Sequence, residues 1–337
     1  MARRIAEVAA RAGVSEATVS RVLNGKPGVS EATRSTVLTA LDVLGYERPT
    51  KLRGERARLV GLVLPELQNP IFPALAEVVG AHLAQHGLTP VLCTRTAGGV
   101  GESEYVDLLL EQQVAGVVFA GGDYSQADAD HSHYDRLVNR KLPAVLINAA
   151  IDDLAFPRVV CDDAIAAEQA VGHLLSLGHT RIGFVLGPSD HVPSEHKLAA
   201  AVQVLERAGT PYSPELVERS LYSLQSGQAA ATRLLQRGVT GIVCASDPLA
   251  LGAIRAVRRM RLGVPEDVSV VGYDDSAFMS ATDPPLTTVR QPIEAMGRAA
   301  ITLLLRQIAG APTPPEDIFF EPELVVRQST GAAKLRN

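Results

Sequence analysis

The sequence predicts an all-α helix-turn-helix headpiece followed by an α/β core of two doubly wound parallel-sheet subdomains. Residues 2 to 46 contain no strand-like alternation of polar and apolar residues, and they divide into three short helical segments. From Leu59 onward, short apolar runs alternate with amphipathic segments, which is typical of parallel sheets covered by helices on both faces. A chain of 337 residues has room for two to three domains.

Three short helices account for the N-terminal segment. The first carries a single apolar stripe, formed by Ile5, Val8, Ala9 and Ala12. Gly13 ends that helix, and Ser15 is placed to cap the second helix with its hydroxyl. Ser30 is placed to cap a third helix, which Gly45 terminates.

The second helix has a packing face and a polar face, and a helix of this kind can enter the major groove of DNA. Arg21 can bond guanine or phosphate, Glu16 can accept a hydrogen bond from cytosine, and Ala17 can contact a thymine methyl group. The groups suited to phosphate oxygens are Thr18, Ser20, Asn24, Ser30 and Thr33. The alternative interpretation is an ordinary solvated helix in a three-helix bundle.

Charge is distributed unevenly along the chain. Residues 1 to 58 contain 11 basic and 6 acidic residues, a net charge of +5, whereas the remainder contains 21 and 31, a net charge of −10. A basic head on an acidic body is typical of a protein in which only the head contacts nucleic acid. Composition alone leaves open that the unevenness has no function.

The core divides into two series of predicted strands. The first series covers residues 59–64, 90–93, 116–120 and 144–148, and the second covers 181–186, 241–245 and 268–272. Breaks near 157 and 290 are the expected crossings between two parallel sheets. Because ligands of open parallel sheets bind at the carboxyl ends of the strands, two facing sheets predict a cleft.

These patterns give domain boundaries. We expect a headpiece at 1–46, a polar linker at 47–58, a core at 59–330 and a tail at 331–337. Within the core, subdomain one should comprise about 59–160 plus 291–322, and subdomain two about 161–290 plus 323–330.

The sequence argues against a membrane protein and an exported protein. No apolar run approaches the roughly 20 residues of a membrane span, and Glu7 and Arg11 interrupt the start where a signal peptide needs an apolar stretch. We therefore expect a cytoplasmic protein.

Cys93, Cys161 and Cys244 each lie in an apolar run and are interpreted as buried core thiols.

Two polar segments contain residue types found in other kinds of site. Residues 128–135, DADHSHYD, contain potential metal ligands, but a solvated loop is the favoured interpretation. Residues 98–103, GGVGES, lack the full pattern of a phosphate-binding loop and are interpreted as a flexible turn before a helix capped near Ser103. Without a nucleophile elbow either, the sequence predicts no enzyme, metal site or cofactor.

The N-terminal run IAEVAARAGVSEATVSRVLNGKPGVSEATRSTVLTALDVLGY, with its GVSxxTVSRVLN signature, resembles the headpiece of the LacI family of bacterial repressors. The likeness continues through GLVLPELQNPIF, HLLSLGHTRIGFVLG, SDPLALGAIRAVRRMRLGVPEDVSVVGYDDS and PPLTTVRQP. The resemblance implies a core like the periplasmic sugar-binding proteins, usually in a homodimer on a pseudo-palindromic operator. It also implies a transcriptional repressor, nucleoid-associated on its operator, that responds to a small-molecule effector, a sugar or related metabolite.

By that resemblance, the linker would fold on DNA as a hinge helix whose leucine enters the minor groove. Leu52 occupies the matching position. The linker is about three residues shorter than the family pattern, and Pro49 lies just upstream of the expected turn.

The resemblance also assigns effector-binding positions. They are Asn69, Phe72, Asn148, Asp162, Lys197, Tyr222, Ser246, and Asp274 or Asp275. Amides and carboxylates suit sugar hydroxyls, and the aromatic rings could stack on a sugar. The alternative is that Asn148 and Ser246 simply terminate strands and that Asp274 caps a helix.

This chain departs from the family pattern in the proposed pocket. Residues 197–201 read Lys-Leu-Ala-Ala-Ala, where the family typically has arginine, leucine, a variable residue, glycine and an aromatic residue. Lysine is a point donor that cannot reproduce the planar fork of arginine. Ser246 stands where asparagine is commoner, so an atypical effector or none is an alternative to a sugar.

Two other function classes share some of these features. The core alone would serve a sugar-transport binding protein, but the attached headpiece and the apparent lack of an export signal oppose that class. An enzyme with a DNA-binding head, such as a kinase, would need a phosphate-binding loop and a metal carboxylate. Whether an effector would release or promote DNA binding cannot be read from the sequence.

Overall fold

The computed structural model describes residues 2–24, 26, 28–44, 58–95, 98–148 and 154–334. It contains two compact units, Met1–Arg58 and Leu59–Asn337. Leu52 and most of the predicted linker lie outside the described residues, as do residues 45 and 46. No helix in the described part of the chain is long and apolar enough to cross a membrane.

The first unit contains the three predicted helices, α1 (Ala2–Ala12), α2 (Glu16–Leu23) and α3 (Glu31–Val43). The hydroxyl of Ser15 accepts a hydrogen bond from Thr18 N, and that of Ser30 accepts one from Thr33 N, both at 3.2 Å. Both predicted caps are therefore confirmed. The core of the unit consists of Val8, Ala9, Val19, Val22, Val37, Ala40 and Leu41.

The second unit contains two six-stranded sheets. The first has the order β11-β5-β4-β3-β1-β2. Its strands are β1 (Arg58–Leu64), β2 (Leu88–Thr94), β3 (Gly116–Ala120), β4 (Ala144–Ile147), β5 (Arg158–Cys161) and β11 (Asp317–Phe320). β3 pairs in parallel with β1 and β4, and β5 pairs in parallel with β4 and β11.

The second sheet has the order β12-β10-β9-β8-β6-β7. Its strands are β6 (Ile182–Leu186), β7 (Val217–Arg219), β8 (Gly241–Cys244), β9 (Ser269–Asp274), β10 (Thr287–Arg290) and β12 (Glu323–Val325). Its pairings are parallel except for β12, which runs antiparallel to β10. The predicted pair of doubly wound sheets is confirmed.

Helices cover both sheets. They are α4 (Ile71–Gln85), α5 (Glu102–Glu111), α6 (Ser132–Asn139), α7 (Asp163–Ser176), α8 (Val192–Arg207), α9 (Leu224–Gln236), α10 (Asp247–Arg259) and α11 (Ile293–Ile308). α4 packs on α11, α7 on α8 and α9 on α10. We call the part built on the first sheet, with α4 to α6 and α11, subdomain one, and the part built on the second sheet subdomain two.

The chain passes between the two sheets three times. It leaves the first sheet after β5, returns after β10, and leaves again between β11 and β12. The crossing expected near 157 lies four residues later, because 158–161 form a strand that the sequence analysis did not identify. These crossings bring residues 161–163, 290–293 and 320–323 to the boundary between the subdomains.

The three cysteines are buried and free, as predicted. Burial raises the pKa of the Cys93 and Cys161 thiols to about 11, and it raises the pKa of Cys244 further. These thiols are therefore protonated at neutral pH and behave as small apolar side chains.

One local prediction is wrong and another is confirmed. Residues 128–135 are not a solvated loop, because α6 begins at Ser132 and buries His133 and Tyr134. The polar composition hides one apolar helix face, and a partner distant in sequence, Glu102, satisfies the buried polar atoms. As predicted, a turn at residues 98–99 precedes a helix that is capped near Ser103: the cap of α5 is Gly101, and Gly101 N donates to the Glu104 carboxylate at 2.9 Å.

Candidate functional site

The headpiece exposes the side chains predicted to contact bases. Glu16, Ala17 and Arg21 are exposed on α2, whereas Val19 and Val22 of the same helix are fully buried. The 3.6-residue period of the helix produces this separation. The outward face of α2 is therefore free of contacts within the headpiece core.

The polar residues predicted to contact phosphate already contribute to the fold of the headpiece. Asn24 Nδ2 donates to the carbonyl oxygen of Ser20 at 2.8 Å, which satisfies an end carbonyl of α2. Ser30 Oγ lies 2.8 Å from Thr33 Oγ1 at the start of α3. Thr18 Oγ1 is likewise 2.9 Å from the capping hydroxyl of Ser15.

An open groove of about 340 Å³ lies where α2 and α3 begin. It is lined by Val14, Ser15, Thr18, Arg21, Gly28, Val29, Ser30 and Thr33. The N-terminus of a helix carries partial positive charge, and here two such ends lie beside the Arg21 guanidinium. The groove is thus suited to an anion such as a backbone phosphate.

In the second unit, Asn69 links the two subdomains. It follows β1, is only 5% exposed, and its Nδ2 donates to Asp274 Oδ2 at 3.3 Å. Phe72 lies in the first turn of α4 and is partly buried against the core. The family resemblance assigned both residues to the effector pocket, and the structure places Asn69 at the boundary between the subdomains.

A chain of hydrogen bonds continues from Asp274 through the crossing segment. Gln291 Nε2 donates to Asp274 Oδ1 at 2.7 Å, and Asn148 Nδ2 donates to Gln291 Oε1 at 2.9 Å. Asn148 Oδ1 in turn accepts from Cys161 N at 3.0 Å. Sequence reasoning missed Gln291, although its place directly after β10, at a predicted crossing, was a usable signal.

The two candidate aspartates after β9 have different roles in the fold. Burial, followed by the nearby Asp247 carboxylate, raises the pKa of Asp274 well above its usual range, which favours the protonated form of this carboxyl. Burial also acts to raise the pKa of Asp275, but hydrogen bonds from Arg327 and Arg290 outweigh it and lower that pKa. Asp274 lies at the boundary between the subdomains, where it accepts a hydrogen bond from Asn69. Asp275 instead forms ion pairs within subdomain two.

Lys197 does not point freely into the cleft. Its ammonium group forms an ion pair with Asp163 and lies 4.2 Å from the centroid of the Tyr273 ring. Asp163, which sequence reasoning missed, is thus the direct partner of the lysine. An effector that bonds Lys197 has to share it with Asp163.

Two other predicted effector residues cap helices. Asp162 Oδ1 accepts from Ala164 N at 2.9 Å and from Ile165 N at 3.0 Å at the start of α7. Ser246 Oγ accepts from Leu249 N at 3.4 Å at the start of α10, and the residue is 1% exposed. Each therefore stabilises a helix terminus that faces the carboxyl ends of the strands.

Tyr222 belongs to a small polar group that includes a histidine missed by the sequence analysis. Its hydroxyl lies 2.8 Å from Ser194 Oγ and 3.1 Å from His191 Nδ1. Burial, followed by the positive charge of Lys197, lowers the pKa of His191 to about 4, so the imidazole is neutral at neutral pH. His191 comes shortly after β6, where the rule for parallel sheets places ligand-binding residues.

Comparisons with known proteins agree with this architecture. Residues 4–49 match the family described as bacterial regulatory proteins, lacI family, and residues 171–330 match a periplasmic binding protein-like domain. The chain is 53% identical over 339 residues to the HTH-type transcriptional regulator reg1 of Streptomyces lividans, covering 99% of this chain and 98% of that protein.

Solved structures give the same result. A transcriptional regulator CelR–cellobiose complex has a TM-score of 0.72 and 35% identity, covering 96% of this chain and 99% of that one. The lac repressor dimer bound to operator and the anti-inducer ONPF has a TM-score of 0.72 and 28% identity, covering 96% and 98%. With a helix-turn-helix headpiece, two parallel-sheet subdomains and a curated relative at 53% identity over almost its full length, this chain belongs to the LacI family of bacterial transcriptional regulators.

Proposed function

We propose that this regulator is a homodimeric repressor that binds a pseudo-palindromic operator and responds to a sugar bound between its core subdomains. The observation that carries the proposal is the polar chain from the buried Asn69 through Asp274 and Gln291 to the half-buried Asn148. Buried amides and carboxyls at a boundary between subdomains are the groups that fix the orientation of a polyhydroxylated ligand. The chain acts as a regulator and not as an enzyme, in agreement with its relatives.

For DNA, we assign base contacts to Glu16, Ala17 and Arg21, which are exposed on one face of α2. Phosphate contacts are assigned to Thr18, Ser20, Asn24, Ser30 and Thr33, several of which line the groove between α2 and α3. Leu52 remains the proposed minor-groove wedge and lies outside the described residues. The lac repressor structure bound to operator as a dimer supports the same arrangement here.

For the effector, we assign a binding site to Asn69, Phe72, Asn148, Asp162, Lys197, Tyr222, Ser246, Asp274 and Asp275. Asp274 in its protonated form can both donate and accept a hydrogen bond, as a sugar hydroxyl can. The rings of Phe72 and Tyr222 can cover the apolar face of a sugar. The CelR structure in complex with cellobiose makes a disaccharide the first ligand to test.

The proposed domain boundaries remain those of the sequence analysis, with the hinge at 47–58 and the core at 59–330. As a DNA-binding regulator, the protein acts in the cytoplasm and at the nucleoid when bound to its operator.

A ligand that replaces the Asn69–Asp274 contact would favour one angle between the subdomains over another. That preference would shift the equilibrium between conformations of high and low operator affinity.

Operator binding is tested by fluorescence anisotropy of the full chain with DNA from upstream of its own and neighbouring genes. We expect specific binding to a symmetric site that weakens steeply with salt. Arg21→Ala should weaken operator binding by about 10-fold or more. Arg207→Ala, which changes an exposed arginine on α8, far from α2 in sequence, should leave operator binding unchanged. Lack of any specific DNA binding by the wild-type chain would refute the repressor assignment.

A further inference from the structure

A second buried polar cluster lies in subdomain one, outside the proposed effector site. It consists of Glu102, His133 and Tyr134, which we call the Glu102 cluster. Glu102 is 2% exposed and His133 1% exposed, so both are removed from solvent. His133 Nε2 lies 3.0 Å from Glu102 Oε1, and the Tyr134 hydroxyl donates to the same oxygen.

The Glu102 cluster fixes the loop 121–127 that follows β3. Glu102 Oε2 accepts from Asp123 N at 3.1 Å, and the Tyr134 oxygen accepts from Tyr124 N at 3.0 Å. These bonds hold two consecutive backbone amides of the loop. A buried carboxylate paired in this way is costly to leave unsatisfied, so the loop and the cluster stabilise each other.

The two glycines of this loop are fitted to their neighbours. Gly122 has φ +145°, and a Cβ added there would lie 2.1 Å from Glu102 Oε2. Gly121 has φ +81°, and a Cβ there would lie 3.4 Å from the ring of Phe72. The loop therefore packs closely between the Glu102 cluster and a residue of the proposed effector site.

The far end of the same loop contacts subdomain two. Ala127 N donates to the carbonyl oxygen of Asp190 at 2.8 Å, and Gln126 forms an antiparallel bridge with His191. His131 supports this end, since its Nε2 lies 3.1 Å from the Gln126 carbonyl oxygen. Loop 121–127 thus connects the Glu102 cluster to the contact that closes one side of the cleft.

We propose that the Glu102 cluster is a positioning element for cleft closure and effector binding, acting through loop 121–127. It touches no proposed effector-binding side chain directly. Instead, it holds the loop in the conformation that supports Phe72 and reaches residues 190 and 191. The part of the inference that concerns effector affinity rests on the proposed function, whereas the part that concerns closure does not.

A metal site is the competing explanation of the same residues. Glu102, Asp123 and His133 offer three ligand atoms within 4.8 Å of one another. Their atoms already have protein partners, however, and the Arg95 guanidinium holds Asp123 at 2.5 Å. A guanidinium bound to one of the three ligands opposes a divalent cation, so the geometry favours a complete hydrogen-bonded cluster.

The test is amide hydrogen–deuterium exchange of the full chain without added ligand. Glu102→Gln and Tyr134→Phe should each speed exchange of the Ala127 amide by about 10-fold or more, with amides of α9 and α10 unchanged. The matched control is Tyr105→Phe, which removes a hydroxyl that donates to the Thr94 carbonyl oxygen in the same subdomain. It should leave the Ala127 amide unchanged.

Three results would overturn the proposal. They are unchanged Ala127 exchange in both variants, uniformly faster exchange across the chain in both variants, and stabilisation of the wild type but not of Glu102→Gln by Zn²⁺. Calorimetric titration with cellobiose forms a separate arm, in which both variants should bind about 10-fold more weakly than the wild type. If cellobiose does not bind the wild type, the proposed disaccharide ligand is refuted, and the exchange experiment still decides the closure mechanism.

Discussion

The side-chain amide of Asn69 donates to the carboxyl group of Asp274 across the boundary between the two subdomains, although the residues are 205 positions apart in sequence. The Asp274 carboxyl is 4% exposed and is close enough to Asp247 for the two carboxyls to influence each other. The fold therefore favours the protonated form of this acid at the centre of the proposed effector site. Burial of this carboxyl lowers the stability of the fold, as is expected of a residue that serves binding.

Asp274→Asn should make the unliganded protein relatively more stable as pH rises. A folded-state pKa above the unfolded value means that the wild type loses stability as pH increases through the folded pKa. The asparagine variant lacks this loss, so its free energy of unfolding should gain on that of the wild type as pH rises above the ordinary carboxyl pKa of about 4. Urea unfolding at several pH values measures the difference.

The neighbouring Asp275→Asn provides a control of opposite sign. The pKa of Asp275 is lowered by its arginine partners, so its contribution is present above the unfolded pKa and is lost as pH falls through the folded one. Asp275→Asn should therefore destabilise the protein at neutral pH, by about 1–3 kcal/mol. Parallel pH profiles for the two variants would contradict the separate roles assigned to these aspartates.

His191 should make the protein acid-sensitive. Its folded pKa of about 4 lies below the ordinary value of 6.5, so the unfolded chain binds more protons between these values and stability falls on acidification. The expected loss is about 2 kcal/mol on going from pH 7.5 to pH 5. His191→Gln should flatten the profile by that amount, while His86→Gln, a change at an exposed helix end, should leave it unchanged.

Removing a helix cap should destabilise the headpiece. Ser15 Oγ accepts from Thr18 N at the start of α2, and Ser15→Ala leaves that donor without its side-chain partner. The expected loss is about 1 kcal/mol, which Ser15→Asp should largely restore because aspartate is also a good cap. Thermal unfolding of the full chain, followed by circular dichroism in small temperature steps, would detect the unfolding of the headpiece as a separate transition. Equal midpoints of this transition for the wild type and both variants would exclude the capping role.

The sequence predicted the architecture well because the longest strands are continuous apolar runs that leave a local signal. It missed β5, β7, β10, β11 and β12, each only three or four residues long. Segments of this length carry too few residues to show a period, and only β4 and β8, which are equally short, were predicted. Their pairing depends on strands distant in sequence, which a local pattern does not contain.

The candidate site was predictable only in part. The family resemblance pointed to Asn69 and Asp274, which the structure brings together. It did not indicate that Asp162 and Ser246 cap helices, or that Lys197 is paired with Asp163. These facts depend on which partner each polar side chain meets after folding, and no spacing rule specifies that.

Subdomain two contains a small cavity that is lined by Ala201 and by the side chain of Lys197. It has a volume of about 20 Å³ and is lined by apolar residues of subdomain two that include Ala166, Ala170, Phe184 and Ala201. Ala201 is 2% exposed and stands where the family typically has an aromatic residue. The missing ring leaves atoms without van der Waals partners, which lowers the stability of the wild type.

Ala201→Val should therefore stabilise the core, by about 0.5–1.5 kcal/mol in urea unfolding, because the added methyl groups occupy the cavity. Valine also costs helix propensity, and Ala199→Val controls for that cost at an exposed position two residues earlier on α8. The difference between the two variants isolates the filling of the cavity. If Ala201→Val is no more stable than Ala199→Val, the side chains around Ala201 have no room for two more carbon atoms, and overpacking outweighs the gain in contacts.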